Sequence, residues 1–153
     1  VFTDADNSTD IRHLERLLPK FRGGFDVVIG SRDYRDVIGA TQAIPQSRFK
    51  RLLGDIGNLF IQFLVVPGIW DTQNGFKGFT AEAAQKIFSK TIINRWAFDV
   101  EVLALARKLG YKIGIVPVYW ENDAESRVKI SGYISALIET VKIRWYLWSR
   151  KYD

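Results

Sequence analysis

Asp4 and Asp6, two carboxylates one residue apart in VFTDADNSTDI, are the first residues here whose types and spacing suit chemistry. At a strand end where the backbone bends, such a pair can face a hard divalent cation that also holds phosphate oxygens. By themselves they read equally as the end of a strand and the start of a turn. A second group is Gly30-Ser31-Arg32, with Arg48, Lys50 and Arg51 further on. Guanidinium groups grip phosphate in a fork geometry that lysine does not reproduce, although each taken singly also suits a solvated charge. A third is the polar, glycine-containing stretch from Asp71 to Phe79, where Asp71, Thr72, Gln73, Asn74 and Lys77 lie among two phenylalanines, a composition suited to a ligand wall. Its Asn74-Gly75 step alone is simply a tight turn.

Two more segments carry charge. Asp99 and Glu101 open a predicted helix, where the dipole is a sufficient reason for acidic residues. The polar run from Glu121 to Lys129 contains Ser126-Arg127-Val128-Lys129, which could fold over a diphosphate. His13 is the only histidine; it is expected at the surface and is assigned no role.

The elements that position these residues follow from periodicity. Val1-Phe2-Thr3 reads as the end of a buried strand that stops at Asp4, and Ser8 or Thr9 can cap a helix over Asp10 to Leu18, with Ile11, Leu14, Leu17 and Leu18 on one face. Asp26 to Gly30 is a nearly all-apolar run, as expected for a central strand covered on both faces. Phe49, Leu52, Leu53, Ile56, Phe60, Phe63 and Leu64 recur at helical spacing and predict a long helix from about Pro45 to Val66. Thr80 caps a helix to about Phe88, and another runs from about Phe98 to Leu109, stopped by Gly110. Lys112 to Trp120 reads as a strand interrupted by Pro117. Strand and helix alternate, so the class is α/β with a mainly parallel sheet. In the last helix, Ile130, Ile134, Leu137, Ile138, Val141, Trp145 and Trp148 fall within an arc of about 100°, and Ala136, Ile143 and Leu147 lie on a second side. A helix apolar on two sides must be covered twice. The aromatic residues interleaved with Arg144, Arg150 and Lys151 suit a membrane headgroup layer, a partner or a core anchor.

Composition narrows the class. The 153 residues are 47% hydrophobic and 25% charged, the profile of a globular domain rather than a disordered chain. The absence of cysteine excludes thiol redox chemistry. Net charge is +5, from 22 basic and 17 acidic residues, and residues 126–153 hold six basic against two acidic side chains. Asn58 to Trp70, the longest apolar stretch, is broken by Gln62, Pro67 and Gly68 and falls short of the roughly 20 apolar residues that cross a bilayer.

Taken in order, VFTDADNSTDI, VVIGSR, SRFKRLLGDIGNLF, DTQNGFKGF, RWAFDVEVLALARKLGYKIGIVPVYW and the ESRVK loop resemble the C-terminal part of a family 2 glycosyltransferase of GT-A fold. The resemblance is to the dolichyl-phosphate β-glucosyltransferase and dolichyl-phosphate mannose synthase group; DTQNGFKGF and RWAFDVEVL favour the former branch. It implies a GT-A sheet flanked by helices, with the family's N-terminal nucleotide-binding half absent. Residues 1–129 would form the C-terminal part of the transferase domain, and 130–153 a basic, aromatic helix at a membrane surface or partner. The implied activity is inverting transfer of a hexose, with glucose favoured, from a nucleotide sugar to a polyprenyl or dolichyl phosphate. UDP-glucose is the first choice of donor and GDP-mannose the second. The resemblance places Mg or Mn on Asp4 and Asp6, and the donor diphosphate or acceptor phosphate on Arg32, Arg48, Arg127 and Lys129. The sugar or acceptor pocket would fall on Thr72, Gln73, Asn74 and Lys77, and Asp71 is the candidate base. Ser8 stands where the mannose synthases often carry a glutamine as a further metal ligand. The segment alone is expected to be inactive, and the whole protein to lie on the cytoplasmic face of a membrane, with no nucleic-acid partner.

Two other readings compete. DADNS after apolar residues also resembles the nucleophile motif of haloacid-dehalogenase-type phosphatases, with Asp4 attacking phosphate and Asp6 as acid and base. Those enzymes need a later strand ending in a second acidic cluster, whereas the strands here end in GSR and YWEND. The other reading is a non-catalytic basic module that binds a membrane or nucleic acid.

Overall fold

The structure, a computed structural model, describes residues 1–5, 8–42, 48–120 and 130–153. After a short 3₁₀ turn, Ile11–His13, the chain forms α1 (Leu14–Arg22), β1 (Val27–Ser31), β2 (Thr41–Gln42), α2 (Arg48–Leu64) and β3 (Lys77–Phe79). It continues through α3 (Ala81–Phe88), α4 (Phe98–Lys108), β4 (Ile113–Pro117), β5 (Tyr119–Trp120) and α5 (Ile130–Trp148).

β1 is buried along its whole length and lies at the centre of a three-stranded sheet ordered β3-β1-β4. It pairs in parallel with β4, from Val27 opposite Ile113 to Ser31 opposite Pro117, and antiparallel with β3, where Val27 faces Phe79 and Ile29 faces Lys77. Phe2 extends the sheet through a two-way backbone exchange with Lys77 (2.9 and 3.1 Å). β2 and β5 form a separate parallel pair. The sheet is therefore mixed: the stretch read as loop up to Phe79 ends in an antiparallel strand. Lys112 to Trp120 is two strands, because the backbone leaves the first sheet after Pro117 and Tyr119-Trp120 joins the second.

The alternation of β1 explains why its sequence is apolar throughout. Val27 and Ile29 face a core built with α3, α4 and the end of α5, while Val28 faces Leu17, Phe76, Val116 and Val118, with Leu14 and Phe21 of α1 against them. Of the predicted first-helix face, Leu17 is buried but Ile11 and Leu18 are exposed, because Asp10 rather than Ser8 or Thr9 caps the turn and the helix runs through Pro19 to Arg22. His13 is more than a surface residue. Its Nε2 accepts the Tyr119 N–H at 3.1 Å and ties the start of α1 to β5. Burial, with Arg16 nearby, pushes its pKa down, which keeps the ring neutral for that bond.

α3 and α4 match the sequence closely. Thr80 accepts a hydrogen bond from the Ala83 N–H (3.3 Å), and Gly110, at φ +78°, stops the chain just after α4. α2 begins at Arg48, with 43–47 outside the described residues, and ends at Leu64. Its periodic apolar face is not a core face: Leu52, Ile56, Leu59 and Phe63 are all more than half exposed. α5 does the same. It buries Ala136, Thr140 and Ile143, whereas Ile134, Ile138, Val141, Trp145 and Trp148 are exposed. The side taken from sequence as secondary is the one that packs. Among the described residues, no helix is long and apolar enough to cross a membrane.

Candidate functional site

The chemistry-bearing segments meet where β1 ends. Ser31 is its last residue, and Arg32 turns onto Asp71 with three bonds. The Arg32 N–H donates to Asp71 Oδ2 (2.7 Å), Nε to Oδ2 (2.8 Å) and Nη2 to Oδ1 (2.7 Å). The guanidinium also lies 4.9 Å from the Trp120 ring centroid. Burial opposes the charge on both groups, but each favours the other's charged form more strongly. Arg32, with Lys77 helping, holds Asp71 below the ordinary carboxylate range, and Asp71, with Asp4 and Asp99, holds Arg32 above its own.

Lys77 is the more deeply buried of the two cations. It has no exposed surface, and its Nζ donates to Asp99 Oδ1 (2.6 Å) and to the Asn74 carbonyl. Phe2 lies 5.8 Å from the same ammonium. Asn74 is almost as deeply buried, and its Oδ1 accepts the Phe76 N–H (2.8 Å). The segment 74–77 is thereby held from inside, by a lysine that β3 carries and an aspartate that α4 carries. Thr72 is buried beside it, and Gln73 points outward, with Nε2 3.4 Å from the Trp96 carbonyl.

Gly75 joins this segment to Asp4. A Cβ at position 75 would lie 2.2 Å from Asp4 Oδ1, so the glycine makes the space that the carboxylate fills. Asn74-Gly75 is thus more than a tight turn. The carboxylate oxygens of Asp4 suit a hard cation such as Mg or Mn, and the Gly75 cradle fixes where they sit. Among the described residues, no three His, Cys, Asp or Glu side chains gather as a metal-holding group. Asp6, Arg127 and Lys129 lie outside the described residues, and Arg48 is the first residue of α2.

Three acidic side chains here escape sequence reading. Asp36 accepts the Ser31 hydroxyl (2.7 Å) and the N–H groups of Trp70 (2.7 Å) and Asp71 (2.8 Å), and so fastens the turn after β1 to the segment carrying Asp71. Asp99 is the Lys77 counter-ion rather than only a helix-start residue. Glu101 is fully buried and accepts from the N–H groups of Ile92 and Ile93 (both 2.9 Å) and the Tyr152 hydroxyl (2.6 Å). The only sequence signal for any of these is Lys77 itself, a cation set among the aromatics of GFKGF.

This is an α/β glycosyltransferase-like arrangement, a sheet flanked by helices with carboxylates and an arginine at one strand end. No protein-family model matches the chain. Known proteins are more particular. The chain is 36% identical over 160 residues to a dolichyl-phosphate β-glucosyltransferase of Trichomonas vaginalis, covering 99% of this chain and 47% of that protein. The corresponding enzyme of Dictyostelium discoideum is 37% identical, over 95% of this chain and 45% of its own. That of Homo sapiens is 36% identical, over 84% and 40%. Along most of its own length the chain is similar to dolichyl-phosphate β-glucosyltransferases, and it spans less than half the length of these relatives.

The ion pair sets an energetic expectation. Arg32 keeps 21% of its side chain exposed and Asp71 only 7%, so losing one partner should cost about 3 kcal/mol, the lower end of the range for buried pairs. Urea unfolding of Asp71→Asn, Arg32→Met and the double variant measures it. The double variant should lose clearly less than the sum of the singles; strict additivity would show that the pair carries no coupling.

Proposed function

We propose that this chain carries the metal and acceptor side of an enzyme that transfers glucose from a nucleotide sugar, UDP-glucose first and GDP-mannose second, to a dolichyl or polyprenyl phosphate. The observation that carries the reading is the convergence of Asp4, Arg32, Asp71 and Lys77 at one strand end, in a chain similar to dolichyl-phosphate β-glucosyltransferases. The chain's share of those relatives favours activity only in a longer protein that also holds the base and ribose, with 1–153 inactive alone.

A lipid monophosphate has a second pKa near 6 and is already largely dianionic at neutral pH, so it needs little help from a base. Its oxygen forms the new bond to the anomeric carbon as the bond to the nucleoside diphosphate breaks, with inversion. Asp4, with Asp6 of the same motif, would hold Mg or Mn, which when bound would supply positive charge to offset the departing diphosphate. Arg32 has five N–H donors, and its side-chain pairing with Asp71 uses two, which leaves capacity for phosphate oxygens. Asp71, held ionised against Arg32, serves this reading better as the group that aims the guanidinium than as a proton acceptor. Arg48, Arg127 and Lys129 would add positive charge around the two anions.

The exposed apolar faces of α2 and α5 support a peripheral membrane site where a polyprenyl phosphate would be met; the cytoplasmic face is part of the proposal and rests on the resemblance alone. Leu52, Ile56 and Phe63 are exposed on one helix and Ile138, Trp145 and Trp148 on the other, and α5 and the turn after it also expose Lys142, Arg144, Arg150 and Lys151.

Calorimetry with UDP-glucose, with and without Mn, on the chain joined to whatever its gene encodes upstream tests the donor side. Metal-dependent binding that disappears in Asp4→Asn/Asp6→Asn is expected. Gly75→Ala should fold, since only a side-chain end must move, yet weaken that binding at least tenfold; donor binding indifferent to all three changes would point to a non-catalytic module. For the membrane side, vesicles containing phosphatidylserine should bind the protein and release it as salt rises. Phe63→Asp/Trp148→Asp should reduce binding by about tenfold or more, and undiminished binding would refute this surface.

A further inference from the structure

Asp36 lies outside every motif described above, yet it touches both sides of the site. Its Oδ2 accepts the Ser31 hydroxyl at 2.7 Å and the Asp71 N–H at 2.8 Å, and its Oδ1 accepts the Trp70 N–H at 2.7 Å. Ser31 has no exposed surface, and its Oγ also accepts the Asp33 N–H at 3.1 Å, so the turn after β1 closes on this carboxylate. One carboxylate thus holds the side chain of the residue immediately before Arg32 and the backbone of Asp71 itself. The side chains of Arg32 and Asp71 then complete a closed ring of bonds across 39 positions of sequence.

We infer that Asp36 is the positioning residue of the phosphate site: it sets the distance between the Ser31 turn and Asp71, and through Asp71 the direction of the Arg32 guanidinium. Charge-assisted bonds from two backbone amides and a hydroxyl hold a fixed geometry better than neutral ones. A neutral amide at this position keeps one acceptor oxygen in place of two, and a side chain one methylene longer no longer spans the same gap. The neighbouring Arg35 gives an internal contrast. Its side chain is held by carboxylates other than Asp36, Asp33 (2.8 Å from Nε) and Asp55 (2.7 Å from Nη2), and its guanidinium lies 3.7 Å from the ring centroid of Trp70, whose backbone N–H Asp36 also holds. Loss of Asp36 therefore reaches Arg32 and leaves the Asp33 and Asp55 contacts of Arg35 in place.

The functional half of this inference rests on the phosphate-binding reading of Arg32; the geometric half does not. Arginine side-chain NMR of the protein tests the geometry. In wild type the Arg32 Nε–H, bonded to Asp71, should exchange slowly with solvent; in Asp36→Asn it should exchange at least tenfold faster, with Arg35 Nε–H unchanged. Equal protection of Arg32 in the two proteins overturns the inference, and so does equal loss at both arginines, which would mean general loosening. Kinetics of the full-length enzyme test the function in two arms, dolichyl phosphate varied at saturating UDP-glucose and the reverse. Asp36→Asn should raise KM about tenfold or more for whichever substrate places its phosphate on Arg32, with a smaller change in kcat, and Asp36→Glu should recover little. A lowered Tm with both KM values unchanged overturns the positioning role. Wild type that transfers no sugar sinks the proposed activity and leaves the NMR result to decide the geometry.

Discussion

A partly exposed arginine paired with a buried aspartate, Arg32 with Asp71, is the constraint around which the strand ends are organised. Each charge is expensive to remove from water, and the pair is tolerable because the Asp71 carboxylate is met by three Arg32 N–H groups while, among the described residues, the other guanidinium donors stay open. Arg32 uses its backbone N–H as well as its side chain, Asp36 fixes the backbone of Asp71, and the Trp120 ring lies by the guanidinium. Lys77 repeats the arrangement one layer deeper with Asp99 and the Asn74 carbonyl. Two cations among Asp4, Asp71 and Asp99 form a preorganised field, whose donors stand fixed and, in the proposed function, would meet phosphate without rearranging.

The same constraint links the site to the helices behind it. α4 carries Asp99 toward Lys77 and Glu101 toward the chain end, where Tyr152 donates to the Glu101 carboxylate and Lys90 to the Tyr152 carbonyl (2.8 Å). Glu139 of α5 accepts the Ala97 N–H at 2.8 Å, just before α4 begins, and Trp96 lies against Gly132, where a Cβ would come within 2.9 Å of the indole. The helix with the exposed tryptophans and the strand end with the charges thus share one support. In the proposed function, that support sets the height of the phosphate site above the bilayer.

What was legible in the sequence was what depends on neighbours along the chain. The β1 run, the Thr80 cap, the Gly110 stop and the break at Pro117 each follow from a few adjacent residues and stand as expected. Asp36, Asp99 and Glu101 did not reveal their roles because each has a partner far along the chain, Asp71, Lys77 and Tyr152 at 35, 22 and 51 positions, and sequence spacing carries no trace of such pairings. β3 was hidden for a related reason: three residues are too few for a period, and its Lys77 looks polar until Asp99 is seen beside it. The helices α2 and α5 show a different limit. Periodicity locates an apolar stripe, but what covers the stripe depends on the rest of the fold. The sheet's layers were already filled by α1 on one side and by α3 and α4 on the other, and the small face of α5 fits more closely against them than the large one.

The charge state of Asp71 tests this account most directly. With its pKa lowered, the carboxylate contributes stability that is fully present above about 3.9, the ordinary aspartate value, and is lost only as pH falls through the lower folded value. Carboxyl ¹³C NMR of the folded protein, titrated downward from neutral pH, reads that value without perturbing the pair. Asp71 should remain ionised below pH 3.9 until the fold itself gives way. A titration midpoint at or above the ordinary value would contradict the pairing and, with it, the preset direction of Arg32.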